Sequence, residues 1–422
     1  MSFEPKFETS GQLLDEYISR SWRSNAQRQR AKGADFVIGK REGVYMWNLE
    51  GNHKVIDCGV GGGVHSLGHR HPEVLATLRQ ALDDGRDTGL WSVPNAPYLA
   101  LQDRLAELSP TDELTHSVFT LCATLSVDLA SMFALRAAGE GRNKILAYQH
   151  GYHGHSGFAA MATGSNVEGV IDHYNLPQNS IKFFEEYGNL EDVAEAMTDD
   201  VAAILLEPMG YESFAFASQE FLNGIGKLCN ERGILFIIDE TRTGLGRSGK
   251  LWASQHYNIK PDFLITGKGL SGGLYPISAV VTTADIYETC MNQHDFAYLS
   301  SLGGNEISCL VGLKVLDIVS QPEMLEHINE VSAYLGAEFQ KIGEEHHNLV
   351  GPVHTLGGIQ SVSIFDLDIA RQVYSNLFKF GVLCHSVCEV GVPTIKFMPP
   401  IVLNMDEADE IIVAFRKALA DL

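Results

Sequence analysis

The chain has 422 residues, enough to bury a substantial core and to form two or three domains. Its 31 Lys and Arg against 53 Asp and Glu give a net charge of −22, and no stretch is basic enough to track the phosphates of a nucleic acid or an anionic membrane surface. The amino terminus is acidic and polar with no apolar signal region, and no apolar run approaches the roughly 18 residues of a membrane span, so a soluble, cytoplasmic protein is expected.

From the amino terminus, the pattern predicts a helix over about 11–30, then short strands around YMWNL and KVIDCG, in a segment 1–65 that packs with a smaller domain. Over 66–315 apolar strands alternate with helical patterns. The strands are HSVFTLC, KILAYQ, VAAILLE, ILFIID, DFLITG and ISAVVTT, and the helices between them include 125–138 and 219–232. Such alternation predicts an α/β domain with a mostly parallel sheet covered by helices. A long helical stretch from about 305 to 346 follows. The remainder, in a domain 316–422, alternates strands (HTLGGIQSVSIF, GVLC, TIKFM) with helices at about 367–379 and 405–421, a small α+β carboxy-terminal domain.

Seven cysteines, an odd number scattered over the chain, read as reduced cytoplasmic thiols rather than a disulfide framework. Cys384 and Cys388 flank His385, but no second ligand pair stands at a finger-like spacing, so no metal is expected.

The chemistry concentrates in 237–273, IIDETRTGLGRSGKLWASQHYNIKPDFLITGKGLSGG. One buried strand pattern ends at Asp239 and a second ends at Gly267-Lys268-Gly269. Ligands bind beyond the carboxyl ends of strands in open α/β sheets, so Asp239 and Lys268 are expected to face one pocket. A lysine between glycines with no compensating acid nearby in sequence reads as an amine that takes up a carbonyl. The cofactor that needs this pair is pyridoxal 5'-phosphate, held as a Schiff base by lysine with an aspartate on its pyridinium nitrogen.

This segment resembles the class III (ornithine/GABA-type) aminotransferases of fold type I, whose signature reads D-E-x-Q-T-G-x-G-R-x-G, then P-D, then G-K-x-x-x-x-G. The resemblance runs from GGGVHSLGHRHPEV at 61–74 to PPI at 399–401. It implies a central, mostly parallel sheet of the seven-stranded type and a ping-pong transfer of an amino group from an amine or amino acid to a keto acid, ketone or aldehyde. It also implies site residues. Ala123 and Thr124, within Cys122–Ser126 where relatives carry S-G-T-E-A, stand where the cofactor phosphate meets a helix amino terminus. Tyr152, in GYHGHS, takes the place of the aromatic ring that stacks on the pyridine; the role of the adjacent His153 stays open. Glu207 matches the E-P dipeptide. Thr241 replaces the aliphatic residue on the second ring face, and Arg242 replaces a glutamine that bonds the phenolic oxygen, which puts a permanent cation there.

Ser301, in SSLGGNE, takes the position of a hydroxyl that reaches the neighbouring subunit's phosphate, which implies a homodimer with shared sites; a helix cap is the other reading of this segment. Glu212 and Lys396 stand where relatives hold a glutamate and a carboxylate-binding arginine, and are either a gated ion pair or two solvated charges. Trp91 is a candidate substrate-pocket wall. Alternatives on the same fold are a racemase, an aminomutase or a decarboxylating relative, and, in a different class, a non-catalytic binding protein; retention of both Asp239 and Lys268 argues against the last.

Overall fold

The computed structural model describes residues 7–21, 23, 26–27, 30, 35–89, 92–164, 179–211, 214, 216–294, 297–388 and 392–422. Trp91 and Glu212 lie outside the described residues, as does part of the helix expected over 11–30. The chain divides into two compact units, Pro72–Ile328 and a unit built from Met1–His71 with Asn329–Leu422.

The described amino-terminal helix runs Ser10–Arg20, its start capped by the Thr9 hydroxyl. Strands β1 (Ile38–Glu42), β2 (Tyr45–Asn48) and β3 (Lys54–Cys58) follow. In the larger unit come β4 (Leu114–Thr120), β5 (Lys144–Tyr148), β6 (Ile181–Phe184), β7 (Val201–Leu206), β8 (Leu235–Asp239), β9 (Phe263–Thr266) and β10 (Ser278–Thr283). These seven form one sheet in the order β4-β10-β9-β8-β7-β5-β6. β9, β8, β7, β5 and β6 are parallel neighbours, whereas β10 is antiparallel to both β9 and β4. Because β10 reverses direction twice, β4 points the same way as β9. The carboxyl ends of β4, β9, β8, β7 and β5 therefore open on one edge of the sheet. β7 is buried at every position, as expected of a parallel strand with both faces covered.

The smaller unit holds two four-stranded sheets. β13 (Val382–Cys384) runs parallel to β3 in the order β1-β2-β3-β13. The other sheet has the order β11-β12-β15-β14, from β11 (Val350–Leu356), β12 (Ile359–Ile364), β14 (Ser386–Cys388) and β15 (Thr394–Phe397). Its core centres on Phe339, Phe397 and Phe415, whose ring centroids lie 4.9 to 6.0 Å apart.

Two expectations are corrected. The helical stretch from 305 to 346 is two helices, Glu306–Val319 and Pro322–Glu345, because Pro322 has no N–H to continue the first and a ring suited to starting the second. HTLGGIQSVSIF is not one strand but the end of β11, a turn at Gly357 with φ +52, and β12.

Candidate active site

The loops at the common edge carry the polar residues singled out in the sequence. Asp239 ends β8, its Cα opposite Ile265 of β9, and Lys268 begins one turn of helix just beyond β9. Glu207 follows β7, and Tyr152 lies in the turn after β5.

Asp239 is buried, yet its carboxylate is well supplied with donors. His153 Nδ1 lies 2.9 Å from Oδ2, and both side chains are almost wholly enclosed. Oδ1 accepts the Thr241 amide at 3.0 Å and the Thr241 hydroxyl at 2.5 Å. Burial alone pushes the Asp239 carboxyl up, but the hydrogen bonds and charge of His153 and the bonds from Thr241 outweigh it, so the group sits below its ordinary range. Thr241 thus turns its hydroxyl onto Asp239.

Lys268 has φ +43, a left-handed conformation that costs a non-glycine residue on the order of 1–3 kcal/mol. The turn around it is held by Ser271 Oγ, which donates to the Lys268 carbonyl at 2.6 Å, and by the Leu270 amide bonding Gly267. Its ammonium lies 5.8 Å from the Tyr152 ring centroid. Desolvation by the surrounding protein, then repulsion from Arg242, lower the amine to about 8 against the pull of Asp239 and Glu207. The residue as a whole is half-buried.

Arg242 is buried and paired with Glu207, Nη2 to Oε1 at 3.1 Å. The cation expected beside a cofactor oxygen is therefore balanced by a carboxylate. Glu207 Oε2 also accepts the Tyr152 amide at 3.1 Å.

Helix Ala123–Ala137 starts after β4 without a side-chain cap from Cys122. Uncapped amides at a helix start are an anion site when a ligand supplies the acceptors. The start is fixed from below by a buried hydroxyl chain: Thr120 Oγ1 to Ser126 Oγ at 2.8 Å, Ser126 to Ser278 Oγ at 2.8 Å, and Ser278 to the Thr266 carbonyl at 2.5 Å. Two glycines let the neighbouring loops come close. A Cβ on Gly267 would meet Ser278 Oγ at 2.7 Å and Ala123 Cβ at 3.3 Å. One on Gly154, at φ +135, would overlap Thr124 Oγ1. Gly154→Ala is thus expected to destabilise the protein by about 1–3 kcal/mol through strain and overpacking, read as a lower midpoint in urea.

The structure brings together Lys268, Asp239, Tyr152, Glu207, Thr241 and Arg242, with Ala123 and Thr124 at the start of the adjoining helix. Ser301 stands elsewhere: it is exposed, and it lines a cavity of about 610 Å³ with Asp87, Gly89, Tyr98, Phe119 and Tyr298. The cap of helix Glu306–Val319 is Asn305, which accepts the Ser308 amide at 3.0 Å. Lys396 lies in β15 of the smaller unit and is 4% exposed, so the solvated-charge reading fails for it. Sequence reasoning missed the His153 bond to Asp239, although the residue stands in the GYHG turn. It also missed Tyr211 and Ser278, for which no local pattern gave a signal, and the inward bonds of Ser126, which stands in the Cys122–Ser126 segment.

The model of the Aminotransferase class-III family matches residues 26–419. The chain belongs to the class III aminotransferases, and it is an enzyme of pyridoxal-phosphate-dependent amino transfer. An uncharacterized aminotransferase of Archaeoglobus fulgidus is 34% identical over 383 residues, 90% of this chain and 87% of that one. Among solved structures, a transaminase from the marine bacterium Virgibacillus superposes with a TM-score of 0.86 at 21% identity, covering 97% of this chain and 98% of its own. The ornithine aminotransferase of Toxoplasma gondii ME49 gives 0.85 at 22%, over 99% and 96%. An (S)-enantioselective omega-transaminase from Thermomicrobium roseum gives 0.85 at 24%, over 99% of each chain. The shared fold is the fold type I architecture, with its mainly parallel central sheet and separate small-sheet unit.

Proposed function

We propose that Lys268 and Asp239 are the catalytic pair of this aminotransferase, and that Ala123, Thr124, Tyr152, Glu207, Thr241 and Arg242 hold pyridoxal phosphate around them. The observation that carries the reading is the Lys268 amine, lowered to about 8 in a strained turn beside a buried carboxylate that stays ionised. The residues fit the group. The uncapped start of helix Ala123–Ala137 suits its phosphate, the glycines at 154 and 267 let the neighbouring loops pack close against that start, and the Tyr152 ring suits an offset stack.

Bound there, pyridoxal phosphate supplies a carbon that takes up the amino group and an aromatic ring that withdraws electrons from the carbon losing its proton. Asp239, kept anionic by His153 and Thr241, favours a proton on a heteroaromatic nitrogen facing it. Lys268 Nζ, unprotonated above about pH 8, would take a proton from the donor carbon as general base and, once protonated, would serve as general acid. Tyr152 limits the tilt of a ring lying against it.

Adding an amino donor alone tests the reading: the aldehyde form of the holoenzyme converts fully to the amine form and is restored by a keto acid. Return to the starting spectrum with the donor epimerised would instead identify a racemase. The amine itself is testable in the cofactor-free chain. Acylation of Lys268, followed by mass spectrometry of its peptide, rises through a midpoint near pH 8, not the 10.5 of an ordinary lysine. Between those values the folded chain binds fewer protons than the unfolded one, so this group's contribution to stability grows as pH rises from about 8.

The working unit in this proposal is a cytoplasmic homodimer in which Ser301 serves the partner's phosphate. Ser301 is exposed, and so are the apolar side chains of Val93, Leu99 and Leu299, which line the same cavity, and of Leu302 beside it in the chain. Cys122, Cys229, Cys290 and Cys309 are free thiols, in keeping with a reducing compartment. Sedimentation of the holoenzyme is expected to give a dimer that loses cofactor as it dissociates.

A further inference from the structure

Arg242 does more than balance Glu207. Its guanidinium carbon lies 4.6 Å from the ring centroid of Tyr211 and 5.1 Å from that of Phe214. Its Nε and Nη1 are buried without a hydrogen-bond partner among the described residues, so aromatic faces take the place of acceptors. Tyr211 in turn stacks on Tyr152, with centroids 4.8 Å apart and planes 19° apart. The Glu207 carboxylate that pairs with Arg242 also accepts the Tyr152 amide.

These contacts close on themselves. They run from the Tyr152 backbone to Glu207, on to Arg242, through the Tyr211 ring and back to the Tyr152 ring, so Tyr152 is held at both its main chain and its side chain. A planar guanidinium can pair with a carboxylate at its edge and stack flat on a ring at its face; an ammonium can pair and approach a ring but has no plane to stack, and a glutamine amide carries no charge.

We propose that Arg242 is a positioning residue that fixes the plane of the Tyr152 ring through this circuit, and so sets how tightly and at what angle the cofactor ring is held. The inference rests on the assignment of Tyr152 to the cofactor ring. It departs from the sequence expectation, in which Arg242 acts directly on a cofactor oxygen.

A double-mutant cycle on the full-length protein tests it, with R242Q, Y211L, the pair together, and R242K. Three quantities are read: the Kd for pyridoxal phosphate by equilibrium dialysis, the circular dichroism of the bound cofactor, and the Tm of the cofactor-free chain. R242Q and Y211L are each expected to raise Kd about tenfold and weaken the cofactor's dichroism, and the double variant to do no more than either alone. R242K is expected to fall well short of rescue. Additive effects on Kd and Tm, or full rescue of Kd and dichroism by R242K, overturn the proposal. Should R242Q not fold, the Y211L and R242K comparison still decides, since a mere charge partner of Glu207 is insensitive to Y211L. Wild-type protein that binds no pyridoxal phosphate overturns the cofactor assignment instead, and the circuit is then judged by coupling in Tm alone.

Discussion

Lys268→Ala is expected to lower the single-turnover rate of amino transfer by at least about 10⁴-fold, the upper end of what a positioned general acid–base residue contributes, with loss of the covalent attachment added to it. The stability of the chain should change little or rise, because the substitution removes a desolvated amine and keeps a side chain at a left-handed position already adopted by a non-glycine residue. Rapid mixing with a donor, read in the cofactor's absorbance, gives the rate. Borohydride reduction of the wild type, followed by peptide mass spectrometry, should place the trapped group on Lys268. A variant within tenfold of wild type, or a trapped group on another lysine, would remove Lys268 from the centre of the mechanism.

The second large effect belongs to Asp239. Asp239→Asn keeps the shape but removes the charge and leaves a single acceptor oxygen where His153 and Thr241 each use one carboxylate oxygen, and is expected to cost about 10²–10³-fold in rate, the scale for losing one preorganised electrostatic partner. The comparison of D239N with the wild type also has a pH signature. Asp239 titrates below its ordinary value in the folded chain, so its share of stability is complete above about pH 3.9 and is lost as pH falls through the lower folded value. D239N should therefore show a shallower loss of stability on acidification, measured by urea midpoints between pH 5 and 2.5. A D239N rate equal to wild type would mean that the carboxylate serves the fold alone.

Both predictions concern residues that the sequence itself picked out. Asp239 and Lys268 each close a short apolar run, and a parallel strand covered on both faces has to be apolar throughout, so its end shows as the first polar or glycine residue. The same logic made β5, β7 and β9 legible within a residue or two. β1, IGKRE, carried no such signal, because it is mostly exposed and becomes a strand only by pairing with β2. β6, IKFF, is four residues at the sheet edge with one buried side chain, too short for a pattern.

The chain's own order thus determined the fold class and pointed to the carboxylate and amine proposed to do the chemistry, since strand burial and loop glycines are local properties. Only the tertiary structure decided who stands beside them. His153 meets Asp239 across 86 positions, and Ser126 meets Ser278 across 152, through a strand order that leaves the sequence twice before returning to it. The circuit through Glu207, Arg242, Tyr211 and Tyr152 is of that kind. Its members come from three loops, and their stacking depends on how adjacent strand ends are spaced in the sheet, a distance that periodicity along one strand does not encode.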